Sequence, residues 1–229
     1  MQIPNFQRGD CMVFQKVEQP PSFKEHAYRE IKRAIIQHDI APGSTIHERT
    51  LSESLGISRT PLKLALQQLE MEGWVQSLPR KGISVKEIER KDVNEVFQLR
   101  KANEALVIEL LIPLLNQEML HKLEEKDQQL FELKEDPVAF MYHDSAFHLF
   151  LAELTNNERL YQIIRNLIDY VNWYGLYILN KRVSIETVYN EHQLIIEGLR
   201  SGDIDRTKTA MVRHLDHFYS EMMANLSSY

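Results

Sequence analysis

The sequence predicts a mostly α-helical protein, with an N-terminal winged helix-turn-helix and a C-terminal all-α antiparallel bundle. Two observations indicate this fold class. Short helical patterns lead into a β-hairpin pattern with a basic tip, whereas the chain shows only helical patterns from Lys91 onward. The segment before Lys91 is also mildly basic and the segment after it is acidic. We therefore expect a tail at residues 1–20, a winged helix at residues 21–90 and a helical domain at residues 91–229.

The first predicted helix begins at a capping box. Ser22 and Glu25 have the spacing at which a serine and a glutamate satisfy each other's backbone N–H groups. Apolar residues then recur at helical spacing as far as Ile35, and we expect the helix to end near His38. A turn at residues 41–44 and a short second helix at residues 47–55 follow.

The third predicted helix starts at Ser58, whose hydroxyl is expected to cap it. Pro61 is tolerated in the first turn, and Gly73 ends the helix. Only Gly56 and Ile57 separate this helix from the second one, which is typical of a helix-turn-helix. Its polar, partly basic front suits a DNA major groove, although an ordinary amphipathic surface helix would show the same pattern. The apolar face that must be buried consists of Leu62, Ala65, Leu66 and Leu69.

A hairpin pattern follows the third helix. Residues 74–78 and 82–85 are compatible with β-strands, and Pro79-Arg80-Lys81-Gly82 lies between them. Three helices followed by such a hairpin are typical of a winged helix. The two adjacent cations favour a contact with phosphate or the minor groove, and a purely structural ribbon is the alternative.

The second half is predicted to hold six helices. Asp136-Pro137 is a good helix start, because proline is favoured in the first turn. Short breaks between the segments favour antiparallel neighbours, as in a bundle. The predicted helices cover residues 92–112, 117–133, 137–154, 157–179, 184–200 and 203–226.

The charge is distributed unevenly along the chain. The formal net charge is −6, but residues 21–90 carry 11 lysines and arginines against 9 acidic residues. Residues 91–229 carry 14 against 22, and the first 20 residues are balanced. Because phosphate binding depends on the local field, the net charge does not exclude DNA.

The composition argues against a membrane or secreted protein. No run of about 18 apolar residues occurs. The first residues lack the apolar core of a signal peptide. With Cys11 as the one cysteine, no intramolecular disulfide can form, and we expect a cytoplasmic protein.

Three histidines and an aspartate of the second half form a candidate metal site. Asp144 and His148 are four residues apart, which places them on one face of a helix. His192 and His214 lie among apolar residues at helical spacing, as expected for side chains that point into a bundle. The set suits a divalent transition metal such as zinc, nickel or manganese, with room for water or a ligand carboxylate. Core histidines with satisfied hydrogen bonds are the alternative.

Several motifs occur in an order that resembles a known family. The chain is similar to GntR-type transcription regulators of the FCD subgroup, which join a winged helix to an all-helical effector domain. No single motif would suffice, and the set is specific because it recurs in order over most of the chain. The motifs lie at residues 51–66, 69–75, 79–85, 99–104, 144–148, 191–203 and 210–215.

The resemblance implies a homodimer that binds a double-stranded DNA operator and responds to a small organic acid near a metal. It implies that the metal ligands are Asp144, His148, His192 and His214. It places Arg100 beside the effector cavity, where a guanidinium suits a carboxylate, with a salt bridge to Glu104 as an equal alternative. The candidate DNA-binding residues are Arg49, Ser58, Arg59, Thr60, Lys63, Arg80, Lys81 and Gly82.

Other functions remain open at this stage. The metal could be purely structural, or the helical domain could take an apolar ligand. A metal-dependent enzyme would explain the ligands but not the winged helix.

Two positions depart from the family pattern. Lys63 replaces the usual arginine, and a lysine lacks the planar fork that matches a guanine edge. Leu64 replaces the usual glutamate. Its side chain is expected either to touch a thymine methyl or to pack against another element.

Overall fold

The computed structural model describes residues 22–80, 82–133, 136–178 and 185–226. The fold class predicted from the sequence is confirmed: within these ranges, helices dominate and a three-stranded antiparallel sheet forms the wing. The helices are α1 (Phe23–Ile36), α2 (Glu48–Leu55), α3 (Arg59–Met71), α4 (Arg90–Leu111), α5 (Gln117–Glu132), α6 (Pro137–Leu154), α7 (Glu158–Ile178), α8 (Ile185–Ser201) and α9 (Ile204–Leu226). The strands are β1 (Thr45–Ile46), β2 (Val75–Leu78) and β3 (Gly82–Val85).

The capping box predicted for α1 is present. The Glu25 carboxylate accepts from the Ser22 N–H at 2.9 Å, and the Ser22 hydroxyl accepts from the Glu25 N–H at 3.2 Å. The cap predicted for α3 is wrong in detail. Ser58 holds the N-cap position, but its side chain accepts no hydrogen bond from the first turn. The Ser58 side chain is therefore free to face outward.

The wing contains one strand that the sequence did not predict. β1 pairs with the inner strand β3 in the register Thr45–Ser84 and Ile46–Ile83. Two residues are too few to show an alternating pattern, so β1 depends on its partner rather than on its own sequence. On its other side, β3 pairs with β2, as the hairpin pattern predicts.

The helical half follows the predicted order closely. The start of α4 lies at Arg90, two residues earlier than expected, and Pro113 continues the chain in a 3-10 turn at Ile112–Leu114. Helix α6 starts at Pro137 as expected, and the Asp136 side chain also caps it, accepting from the N–H groups of Val138 and Ala139. The predicted start of the eighth helix, Ser184, lies outside the described residues. Within them, α8 begins at Ile185.

The two halves share a hydrophobic core. The buried face predicted for α3 packs in the same cluster as residues of α7. Trp74, just after α3, stacks on Tyr170 of α7 with ring centroids 4.3 Å apart and the planes 4° from parallel. The Tyr170 hydroxyl also donates to the carbonyl of Glu72, and Lys32 of α1 forms an ion pair with Asp169 at 2.7 Å. Helix α7 thus packs directly against the winged helix, and residues of α4 and α9 belong to the same cluster.

No described helix combines the length and apolar character that a membrane span requires.

Candidate metal centre and DNA-binding surface

Four buried side chains from three helices converge in the helical half. Helix α6 carries Asp144 and His148, α8 carries His192, and α9 carries His214. Each contributes a ligand atom, and these atoms all lie within 4.8 Å of one another. The Nε2 atoms of His148 and His214 are 3.1 Å apart, and Nε2 of His192 is 3.2 Å from Asp144 Oδ1.

The geometry of this cluster fits a single cation. Metal–ligand bonds of about 2.1 Å in a tetrahedral site place the ligand atoms about 3.4 Å apart. The distances within the cluster lie on both sides of that value, from 3.1 Å between the Nε2 atoms of His148 and His214 to 3.9 Å from His148 Nε2 to Asp144 Oδ2. Nε2 of His192 is buried and, despite its closeness to Asp144, has no hydrogen-bond partner among the described residues. A cation at the centre would satisfy that nitrogen.

Each of the three histidines contacts a further carboxylate through its Nδ1 atom. Such partners fix the ring orientation and the tautomer, so that the other nitrogen is available to a metal. The sequence reasoning missed all three carboxylates in this role. The contacts through Nδ1 are His148 with Glu104 at 2.5 Å, His192 with Asp127 at 2.9 Å, and His214 with Glu191 at 3.1 Å.

Burial and charge set the pKa of each histidine. Burial lowers the pKa of His148, and it lowers the pKa of His214 to about 4, so both rings are neutral near pH 7. Burial also acts to lower the pKa of His192, but the hydrogen bond to Asp127 and the nearby carboxylate of Asp144 outweigh it and raise the pKa to about 9. Neutral imidazoles are the form that binds a metal, so His148 and His214 are already in that form, whereas His192 would have to lose a proton on binding.

Two of the buried carboxylates beside these rings, Asp144 and Glu104, stay ionised. Burial acts to raise the pKa of Asp144, but the surrounding histidines hold it well below its ordinary value. Burial likewise opposes ionisation of Glu104, while Arg100 and His148 bring its pKa down to about 2. Negative charge at the centre therefore favours a cation there.

Arg100 lies in α4 at the edge of this cluster, with 1% of its surface exposed. Its Nε donates to Glu104 Oε1 at 2.5 Å, so the salt bridge considered from the sequence is present. Its Nη2 is buried without a hydrogen-bond partner in the described part of the chain. The same guanidinium thus has one side paired and one side available to an anion.

The candidate DNA-binding residues in the described ranges are exposed. At the start of α3, Arg59 and Lys63 carry no ion pair with any described residue, whereas Arg49 of α2 pairs with Glu53 at 3.0 Å. Leu64 is 47% exposed and lies outside the hydrophobic clusters, so packing against another described element is not its role. Lys81 lies outside the described residues. The other candidates, Ser58, Thr60, Arg80 and Gly82, are exposed at the front of α3 or at the wing tip.

A winged helix with a free basic front, joined to an all-helical domain, defines the class of DNA-binding transcription regulators. The family model for bacterial regulatory proteins of the gntR family matches residues 23–85, and that for the FCD domain matches residues 95–217. The chain belongs to the GntR family of regulators with an FCD domain. Its relatives are transcription regulators and not enzymes.

Relatives and solved structures agree with this assignment. The chain is 26% identical over 206 residues to the uncharacterized HTH-type transcriptional regulator YdhC of Bacillus subtilis, covering 88% of this chain and 92% of the relative. It is 25% identical over 193 residues to the HTH-type transcriptional repressor RspR of Escherichia coli, covering 83% and 85%. The fold is similar to that of E. coli McbR/YncC, with a TM-score of 0.75, 18% identity and coverage of 88% and 97%. A GntR regulator from Rhodococcus sp. RHA1 gives a TM-score of 0.74 at 17% identity, covering 90% and 98%.

Proposed function

We propose that this regulator changes its operator affinity when a small organic acid binds beside a divalent metal in the helical domain. The observation that carries the proposal is the buried cluster of Asp144, His148, His192 and His214, backed by three carboxylates. Hydrophobic packing alone does not explain why three histidine Nε2 atoms converge on one carboxylate. Zinc, nickel and manganese all suit this set of ligands.

The roles of the individual residues follow from their contacts. Asp144 and the three histidines would hold the metal, which would supply a Lewis acid for the carboxylate of the effector. Arg100 would bind the effector's negative charge through its unpartnered Nη2. Glu104 bonds both Arg100 and His148, so it keeps the guanidinium and the imidazole oriented together.

The N-terminal part, residues 21–90, is proposed as the DNA-binding domain, and residues 91–229 as the effector-binding and dimerisation domain. Arg59, Thr60 and Lys63 would enter the major groove, with Arg49 and Ser58 beside them. Arg80, Lys81 and Gly82 would bring the wing to the neighbouring groove or phosphates. A homodimer would place two such winged helices on the half-sites of a pseudo-palindromic operator.

Contacts between helices offer a route from the metal centre to the winged helix. The hydroxyl of Ser145, next to Asp144, donates to Asn172 Oδ1 of α7 at 2.7 Å. Two residues earlier on the same helix, Tyr170 stacks on Trp74. An effector that shifts α6 would therefore shift the support of the winged helix, provided that it binds one arrangement more tightly than the other.

Metal content and chelation test the proposal. We expect purified protein to contain about one divalent metal per chain. An organic acid should raise its melting temperature, and chelator should abolish that increase. Absence of metal, or stabilisation that chelator leaves unchanged, would refute control by a metal-bound acid.

A purely structural metal is a second candidate, because the four buried ligands join three helices. His148→Ala separates the two roles, and His121→Ala is its control, since that histidine is 70% exposed on α5. With an effector-site metal, His148→Ala loses the response to the acid but keeps a folded protein that binds operator. With a structural metal, it loses most of its thermal stability and operator binding together.

A further inference from the structure

A second concave site lies where the winged helix meets the helical half. Helices α1 and α7 form its walls, and Gln68 of α3 and Tyr142 of α6 complete it. Its volume is about 780 Å³, within the range of small-molecule sites, roughly 300–1,000 Å³. None of the candidate metal ligands or DNA-binding residues lines it.

Positive charge dominates this interdomain cleft. Five cations line it against two carboxylates, Glu25 and Asp169, in a chain whose net charge is −6. The five are Lys24, Arg29, Lys32, Arg33 and Arg165.

Only some of these five cations form ion pairs with described residues. Lys32 forms an ion pair with Asp169, and Arg33 pairs with Glu30 at 3.3 Å. Lys24, Arg29 and Arg165, by contrast, have no ion-pair partner anywhere in the described ranges. Three uncompensated cations around one concavity leave a site that a ligand with several negative charges would neutralise.

We propose that the interdomain cleft binds a small phosphorylated anion, distinct from the organic acid at the metal centre. Two of the free cations are arginines on opposite walls, Arg29 on α1 and Arg165 on α7, and a guanidinium fork matches phosphate oxygens in a bidentate manner. A monocarboxylate carries too little charge for three cations. A DNA backbone would contact the exposed cations, whereas Asn172, which also lines the cleft, is only 6% exposed.

Because the cleft lies between the winged helix and the helical half, a ligand bound there would affect operator affinity. A ligand held by Arg29 and Arg165 touches the winged helix and the helical half at once, and it favours the arrangement in which they are docked. It also reaches Asn172, which bonds to the neighbour of the metal ligand Asp144. Binding at the cleft is thus coupled to operator affinity without using the metal.

Pyrophosphate is the probe that tests the cleft. Its binding to the full-length protein is measured by calorimetry and by thermal shift, in a phosphate-free buffer of fixed ionic strength. The variant is Arg29→Ala/Arg165→Ala. The control is Arg159→Ala, which removes an exposed arginine from the same helix six residues before Arg165 and outside the cleft. A His148→Ala protein reports any pyrophosphate bound at the metal.

We expect pyrophosphate to bind the wild type, the control and His148→Ala alike, and to bind the cleft variant at least tenfold more weakly. Equal binding to the cleft variant and the wild type overturns the proposal, as does absence of binding to the wild type. Loss in His148→Ala with retention in the cleft variant places the anion at the metal and also overturns it. If the cleft variant instead weakens operator binding without any anion present, the cations contact DNA and the proposal is wrong.

Discussion

At the scale of single residues, the proposed metal centre would depend on side chains that do not themselves bind the metal. Asp127 is fully buried on α5, where its Oδ1 contacts His192 Nδ1 and its Oδ2 accepts from Gln193. Removing its charge while keeping its shape would leave the ring of His192 less basic and less well oriented. We therefore predict that Asp127→Asn weakens metal binding about 10–100-fold.

Competition with a chromophoric chelator measures this effect. Glu124→Gln is the matched control, because it neutralises an exposed carboxylate on the same helix that pairs with Arg200. Metal affinity that is the same in Asp127→Asn and in the control would show that His192 needs no carboxylate behind it.

Only part of the candidate metal site could be predicted from the sequence. The spacing of Asp144 and His148 placed them on one face of one helix, and the apolar residues around His192 and His214 indicated that these two histidines point into the bundle. The carboxylates behind the rings could not be found in this way, because tertiary packing alone brings Asp127 to a histidine 65 residues away. Glu191 is adjacent to His192 in the sequence, but its carboxylate contacts His214 of another helix, which spacing along the chain does not show.

At the scale of secondary structure, most helix bounds followed from caps and periodicity. The capping box of α1 and the start of α6 at Pro137 were predicted and are present. The strand β1 was not predicted, because its two residues derive their structure from pairing with β3. The packing of α7 against the winged helix was not visible either, since an apolar face does not name its partner.

That packing leads to a prediction about Tyr170, which joins α7 to the winged helix. Tyr170→Ala removes the stack on Trp74 and the hydrogen bond to the Glu72 carbonyl. We expect a loss of about 2–4 kcal/mol in the free energy of unfolding. Urea titrations followed by tryptophan fluorescence and by circular dichroism measure it.

The shared core also implies that both halves of the wild-type protein unfold in one transition. The transitions measured by tryptophan fluorescence and by circular dichroism should therefore coincide. Two separate transitions in the wild type, or an unchanged midpoint in Tyr170→Ala, would contradict the role given to this junction.

At the scale of the whole molecule, an acidic protein must bind a polyanion through a local basic surface. The net charge is −6, yet the front of α3 presents Arg59 and Lys63 free of ion pairs with the described residues. We predict that operator binding weakens steeply as salt rises, because neutralised phosphates release their counterions.

We also predict that Arg59→Ala costs about 1–3 kcal/mol of the preference for operator over unrelated DNA, as expected when a base contact is lost. Titrations of both DNAs at several salt concentrations measure the two effects, with Arg159→Ala as the control for lost positive charge. Salt-insensitive binding would refute the electrostatic surface, and an unchanged preference in Arg59→Ala would mean that this arginine positions the helix without reading a base.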